Sequence, residues 1–181
     1  MSTETVPQFR LAQSSDMTRL LELVNNSIST NLKDYLLPEQ VEASYELMGV
    51  DTQLIEDQTY FVAEADGQIV GCGGWSMRAT LFGGNHTPGR DAKKLDPKKD
   101  GARIRGIYTD PNYLRRGIAS KILILCNASA KRAGFKSLDL MATVSGEPMF
   151  IAHGFSVLEH LHVATSNGVK VPLARMRRQV I

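Results

Sequence analysis

With 181 residues, 43% of them hydrophobic and 22% charged, the chain is long enough for one domain with a real core and ordinary for a globular protein. No apolar run approaches the roughly 18 residues that span a bilayer, and residues 1–8 lack the basic flank and apolar stretch of a secretory leader. Neither a membrane nor export is expected, so the cytoplasm is the expected compartment.

Residues 8–12 alternate and predict a first strand. Ser14, Ser15 and Asp16 offer N-caps for a helix over about 16–29, where Leu20, Leu21, Leu23, Val24 and Ile28 recur at helical spacing. Pro38 suits the first turn of a second helix. That helix carries Val41, Tyr45 and Met48 on one face and Glu39, Glu42 and Glu46 on another. Residues 59–65 and 68–77 are β-rich and flank Asp66-Gly67, a hairpin turn. Residues 79–102 break the pattern with glycines, prolines and the pairs Lys93-Lys94 and Lys98-Lys99. A loop of that length is mobile or functional, and it reads as an insertion within a single domain over 1–181. Residues 103–109 predict the next strand. Residues 117–133 predict a helix with Ile118, Ile122, Leu125 and Ala133 on one face, stopped by Gly134. A strand over 137–143 follows, then a short helix opened by Pro148, then a hairpin of 157–164 and 169–176 around Ser166-Asn167-Gly168. This order predicts an α/β fold on a mixed sheet, and hairpins at both ends exclude an all-parallel one.

The net charge of +2 is unevenly spread. Residues 1–78 hold four basic against twelve acidic side chains, and the remainder 17 basic against 7 acidic. The basic part suits an anionic ligand and the acidic part a cationic one. Cys72 and Cys126 read as core thiols, since two cysteines make no disulfide framework and no Cys-x-x-Cys pair is present for zinc. His160 and His162 share a strand face but lack a third ligand at useful spacing, so no metal is expected. The lysines at 93–99 and the arginines Arg175, Arg177 and Arg178 have no interleaved aromatics for base stacking. No nucleic acid is expected.

The segment DPNYLRRGIAS (110–120) joins a strand to a helix. The first amides of a helix lack internal partners and carry partial positive charge, which makes a site for phosphate. Gly117 has no Cβ and lets the backbone approach a ligand. Arg115 and Arg116 add positive charge. The Gly-Lys-Ser/Thr ending of a P-loop and the three glycines of a dinucleotide fingerprint are both missing, which disfavours ATP and NAD.

The longer segment RIRGIYTDPNYLRRGIAS (103–120) resembles the strand-loop-helix motif that binds acetyl-coenzyme A in the GNAT superfamily of N-acetyltransferases. FIAHGF (150–155) resembles the family's late helix, which commonly ends in Tyr-x-x-x-Gly-Phe. The element order agrees over nearly the whole chain, the 79–102 insertion excepted. The resemblance implies a single-domain mixed sheet of about seven strands with helices on both faces. It also implies acetyl-CoA as cosubstrate, an amine as acceptor and direct attack on the thioester. Backbone groups of Ile107, Tyr108 and Thr109 would pair with the pantetheine arm, and the Ile107 amide would face the thioester oxygen. Arg115, Arg116, Gly117, Ile118, Ala119 and Ser120 would hold the pyrophosphate. A homodimer is left open.

This chain departs from the family's pattern at four places. Leu114 stands where Gln or Arg is frequent, Arg103 where many members carry a glutamate base, and Phe150 where a tyrosine often protonates the leaving thiolate. Thr143 matches an asparagine that contacts the pantetheine arm. Glu64, Glu147, His153, Tyr35 and Tyr108 are alternative feeders of a proton path. Tyr35 and Trp75 are candidates for lining the acceptor pocket, and Asp34, Glu39, Glu42 and Glu46 suggest a cationic acceptor. A non-catalytic acyl-CoA sensor is the alternative reading.

Overall fold

The computed structural model describes residues 5–181. The chain runs through β1 (Gln8–Leu11), a 3-10 turn (Ser14–Asp16), α1 (Met17–Asn31), α2 (Pro38–Leu47) and α3 (Thr52–Glu56). It continues through β2 (Tyr60–Ala65), β3 (Gln68–Ser76), β4 (Ala102–Thr109), a second 3-10 turn (Pro111–Tyr113) and α4 (Ile118–Arg132). β5 (Ser137–Thr143), α5 (Glu147–Ala152), β6 (Ser156–Ala164) and β7 (Lys170–Gln179) complete it. The seven strands form one mixed sheet in the order β1-β2-β3-β4-β5-β7-β6. All neighbours are antiparallel except β4 and β5. α3 is absent from the sequence reading. Its five residues make too short a turn for a periodic signal, and only Asp51, whose carboxylate accepts from the Gln53 amide at 3.0 Å, announces it as an N-cap.

Helices cover both faces, as their apolar stripes require. α4 and α5 pack on one face, where Ile118, Ile122, Leu123 and Cys126 meet Leu138, Leu140 and Met176. α1 and α3 pack on the other, through Leu20, Leu23, Val24, Ile28 and Leu54. α2 turns Ala43, Ser44 and Leu47 inward, with Val41, Tyr45 and Met48 beside them. Both cysteines are buried and free, and burial pushes the Cys72 thiol up to about 12.

The insertion between β3 and β4 is tied down at many points. The Ala79 and Thr80 amides donate to the Lys93 and Asp91 carbonyls, and the Leu95 amide donates to the Met77 carbonyl. Thr87 Oγ1 donates to the Glu46 carbonyl at 2.8 Å, which fastens the loop to α2. Beneath it the Arg105 guanidinium, 2% exposed, bonds Asp51 Oδ2 at 3.0 Å and the Gly83 carbonyl at 2.6 Å. Arg90 of the loop holds the other Asp51 oxygen at 2.6 Å. At its base Arg78 grips Asp57 through two bonds of 2.7 and 2.8 Å.

Those two bonds hold the Asp57 carboxyl below the ordinary carboxylate range. A carboxyl depressed in the fold adds stability above its unfolded pKa of about 3.9 and loses it as pH falls through the folded value. Asp57→Asn is therefore expected to shallow the fall in melting temperature between about pH 5 and pH 2. Thermal melts across that range check it, and equal slopes for both proteins contradict it.

Candidate active site

The site follows from where β4 and β5 part. They pair only at Ala102↔Leu138 and Arg103↔Asp139. Beyond this point β4 continues on β3 and β5 on β7, so a wedge opens between them. Arg103 bonds Asp139 at 2.6 Å, and Asp139 also holds Arg177 of β7. Arg103, at the position of the usual base, is thus part of the bolt at the wedge's root.

Within β4 the ladder to β3 carries a bulge. Cys72 pairs with Tyr108 and Gly74 with Arg105, so Gly106 and Ile107 together oppose Gly73. Gly106 has φ +57°, the left-handed region that favours glycine. The cleft that starts here has a volume of about 840 Å³ and is lined by Gly106, Ile107, Tyr108 and Thr109 of β4 and by Met141, Ala142 and Thr143 of β5.

One end of the cleft reaches the start of α4. Arg115 has φ +63° and Gly117 +76°, so the loop turns left-handed twice before the helix begins. Such a turn followed by free helical amides makes a concave anion cradle. A Cβ built on Gly117 meets nothing within 4 Å, so the space above it is open for a ligand. The loop is braced from behind. Asp110 accepts from the Asn112 amide at 3.0 Å and from Arg19 at 3.1 Å. Tyr113 donates to Asp66 at 2.9 Å, and the Arg116 guanidinium lies 4.8 Å from the Tyr113 ring centre. Leu114, Arg115, Gly117, Ile118, Ala119 and Ser120 all line the cleft. Ser120 Oγ lies 2.9 Å from His153 Nε2.

Asn31, at the C-terminal end of α1, carries no sequence motif that marks it. Its Nδ2 donates to the Thr109 carbonyl at 3.0 Å, while its buried Oδ1 has no partner. Asn31 lines the cleft.

The other end of the cleft lies toward α1, α2 and the insertion. Tyr35, Leu47, Met48, Phe82, Met141 and Leu173 make an apolar wall there. Phe82 comes from the insertion, which thus forms part of the cleft. Of the four suggested carboxylates, only Asp34 borders the cleft. Glu46 instead accepts from the Ser166 amide and hydroxyl, pinning the β6–β7 turn.

Several expected roles are corrected by placement. Trp75 is 2% exposed and packs edge-on against Phe135 at 5.8 Å, within the core and away from the cleft. Glu64 is occupied by Arg10 of β1 at 2.7 Å and does not line the cleft. Glu147 is taken by His160, 3.1 Å away. Tyr108 does border the cleft, but its hydroxyl accepts from the Gly49 amide at 3.1 Å, and burial raises its pKa. It keeps its proton and makes a poor base. Thr143 stays at the cleft, where its Oγ1 accepts from the Gly146 amide at 3.2 Å. Phe150 stacks edge-on with Phe155 and has no proton to give.

The sequence profile of the acetyltransferase (GNAT) family matches residues 25–167, and the chain belongs to that family. Members use acetyl-CoA as cosubstrate. No curated protein matches the chain in sequence. Among solved structures it is similar to a GCN5-related N-acetyltransferase from Rhodopseudomonas palustris, with TM-score 0.71, 18% identity and 99% of each chain covered. It is similar to yncA from Salmonella typhimurium, described with its cofactor acetyl-CoA, with TM-score 0.65, 16% identity, and 98% of this chain and 95% of that one covered. The paia N-acetyltransferase from Thermoplasma acidophilum, in complex with coenzyme A, gives TM-score 0.64 and 14% identity over 96% of this chain and 99% of that one. At these identities the likeness is one of fold. Among the described residues no helix is long and apolar enough to cross a membrane, and no group of His, Cys, Asp and Glu could hold a metal ion.

Proposed function

We propose that this protein transfers the acetyl group of acetyl-CoA directly to the nitrogen of a primary amine carried on an apolar body. The observation that carries the reading is the wedge between β4 and β5 running into the left-handed turn at Gly117. The side of β4 turned away from β3, from Ile107 to Thr109, can bond an extended amide-bearing arm as an added strand would, with the Thr109 carbonyl shared with Asn31. The amides of residues 117–120 and the charge of Arg115 suit a pyrophosphate.

The amine approaches from the side of Phe82 and Met141, with its head near Asp34. It must shed a proton to attack, and the open mouth of the cleft lets water take it. Nitrogen then bonds to the thioester carbon, the carbon–sulfur bond breaks and the thiolate leaves. A thiol's pKa of about 8.5 means that water can reprotonate it without a dedicated acid, in keeping with Phe150 at the usual tyrosine position.

Calorimetric titration of acetyl-CoA, followed by an amine panel read by thiol release, tests this. Micromolar binding with turnover of amines on apolar bodies is expected. Turnover of polyamines alone contradicts the acceptor reading. Asp34→Asn is expected to raise the acceptor KM about tenfold, as loss of one charge-assisted hydrogen bond would, and to leave acetyl-CoA affinity unchanged. An unchanged acceptor KM contradicts that role.

A further inference from the structure

The bulge in β4 is held from two strands away. The Tyr60 hydroxyl donates to the Gly106 carbonyl at 2.7 Å, and Cys72 Sγ lies 3.2 Å from the same hydroxyl. Tyr60 is 1% exposed, and burial pushes its pKa well above the ordinary value, so the hydroxyl keeps its proton and remains a donor. β3 makes room for this contact. A Cβ on Gly74 would lie 2.7 Å from the Tyr60 ring, and a Cβ on Gly73 would lie 2.7 Å from the Ile107 side chain. The Gly73-Gly74 pair thus lets Tyr60 cross β3 to reach β4 while Ile107 packs over the strand.

The Gly106 carbonyl and the Ile107 amide belong to one planar trans peptide, so they point in opposite directions. Tyr60 sits on β2, on the β3 side of β4. In a planar trans peptide, a carbonyl drawn to that side leaves the opposed Ile107 N–H to face away from β3, toward the gap that β5 leaves. We infer that Tyr60 is a positioning residue for acetyl transfer, which aims the Ile107 amide at the thioester oxygen by fixing the Gly106 carbonyl. The inference rests on the acetyltransfer reading and deepens it. Without the clamp the peptide can rotate, and the amide meets the developing oxyanion in only part of its conformations. A donor of this kind gives its benefit by being fixed before the reaction.

The test compares wild type with Tyr60→Phe, which keeps the ring and removes the donor. Three readouts are taken: kcat and KM for acetyl-CoA, affinity for coenzyme A, and the infrared carbonyl stretch of bound, carbonyl-labelled acetyl-CoA. Tyr60→Phe is expected to lower kcat roughly tenfold to hundredfold, below the full cost of deleting an oxyanion donor. Coenzyme A affinity, which involves no thioester carbonyl, stays within about twofold of wild type, and the carbonyl stretch returns toward its solution value. Gly106→Ala attacks the same clamp from the other side, since its Cβ would lie 3.0 Å from the Tyr60 hydroxyl and its φ of +57° disfavours a side chain. It is expected to reproduce the pattern. A carbonyl stretch polarised equally in wild type and both variants overturns the role of Tyr60 and leaves acetyl transfer standing. A kcat loss that merely tracks lost coenzyme A affinity and lowered melting temperature also overturns it. A wild type that binds no acetyl-CoA overturns the acetyltransfer reading itself, and the inference with it.

Discussion

Asp51→Ala is expected to lower the melting temperature by about 6–20 °C, because breaking a buried pair costs roughly 3–5 kcal/mol and a domain of this size shifts by roughly 2–4 °C per kcal/mol. Asp51 does three jobs with one carboxylate. It caps α3, pairs with Arg105 beneath the insertion and pairs with Arg90 of the insertion itself. Its removal leaves the Arg105 guanidinium buried with only the Thr80 and Gly83 carbonyls for company. Burial already pulls the Arg105 pKa down, and the Asp51 charge is what opposes that. The double variant Asp51→Ala/Arg105→Met removes the stranded charge and is expected to recover part of the loss. Scanning calorimetry of both proteins checks this. A shift for Asp51→Ala below about 2 °C contradicts the hub role. Since Phe82 of the insertion walls the cleft, the same variant is expected to weaken acceptor binding.

Gly117→Glu is expected to cost at least roughly a hundredfold in acetyl-CoA affinity, about 2.7 kcal/mol, while the protein still folds. Two effects add. A side chain at φ +76° costs about 1–2 kcal/mol in backbone strain, which favours an unbound loop relaxed out of the left-handed turn that binding must then restore. The carboxylate also occupies the open space above residue 117, beside the amides that suit a phosphate. The protein itself offers nothing within 4 Å for a Cβ to strike, so the damage falls chiefly on the ligand. Gly117→Ala carries the strain without the charge and is expected to lose about tenfold. Titration calorimetry reads both, and affinity within about threefold of wild type for Gly117→Glu would place the phosphates elsewhere.

The loop proposed to hold the cofactor was legible as a local structure because its determinants are local. A left-handed glycine, two arginines and a following helix lie within a few residues of one another, and the structure joins them to the end of β4 as expected. The acceptor half was not legible, because it depends on contacts between distant segments. Trp75 alternates plausibly toward a pocket, but β3 is central and buried on both faces, so alternation could not say which side met the cleft. Glu64 reads as a free base until Arg10, 54 positions earlier, is seen to hold it. Asp34 was one of four carboxylates with equal standing until the end of α1 placed it at the cleft. The clamp of Tyr60 on Gly106 spans 46 residues and two strands, beyond the reach of any spacing rule.

Direct transfer is tested most plainly by following the acetyl group. The protein is incubated with radiolabelled acetyl-CoA and a mixture of primary amines, and the label is traced among coenzyme, protein and amine. The account predicts label on an amine in proportion to the thiol released, and none held covalently by the protein. Label that stays on the coenzyme with every amine, while acetyl-CoA still binds, would contradict transfer and leave an acyl-CoA sensor.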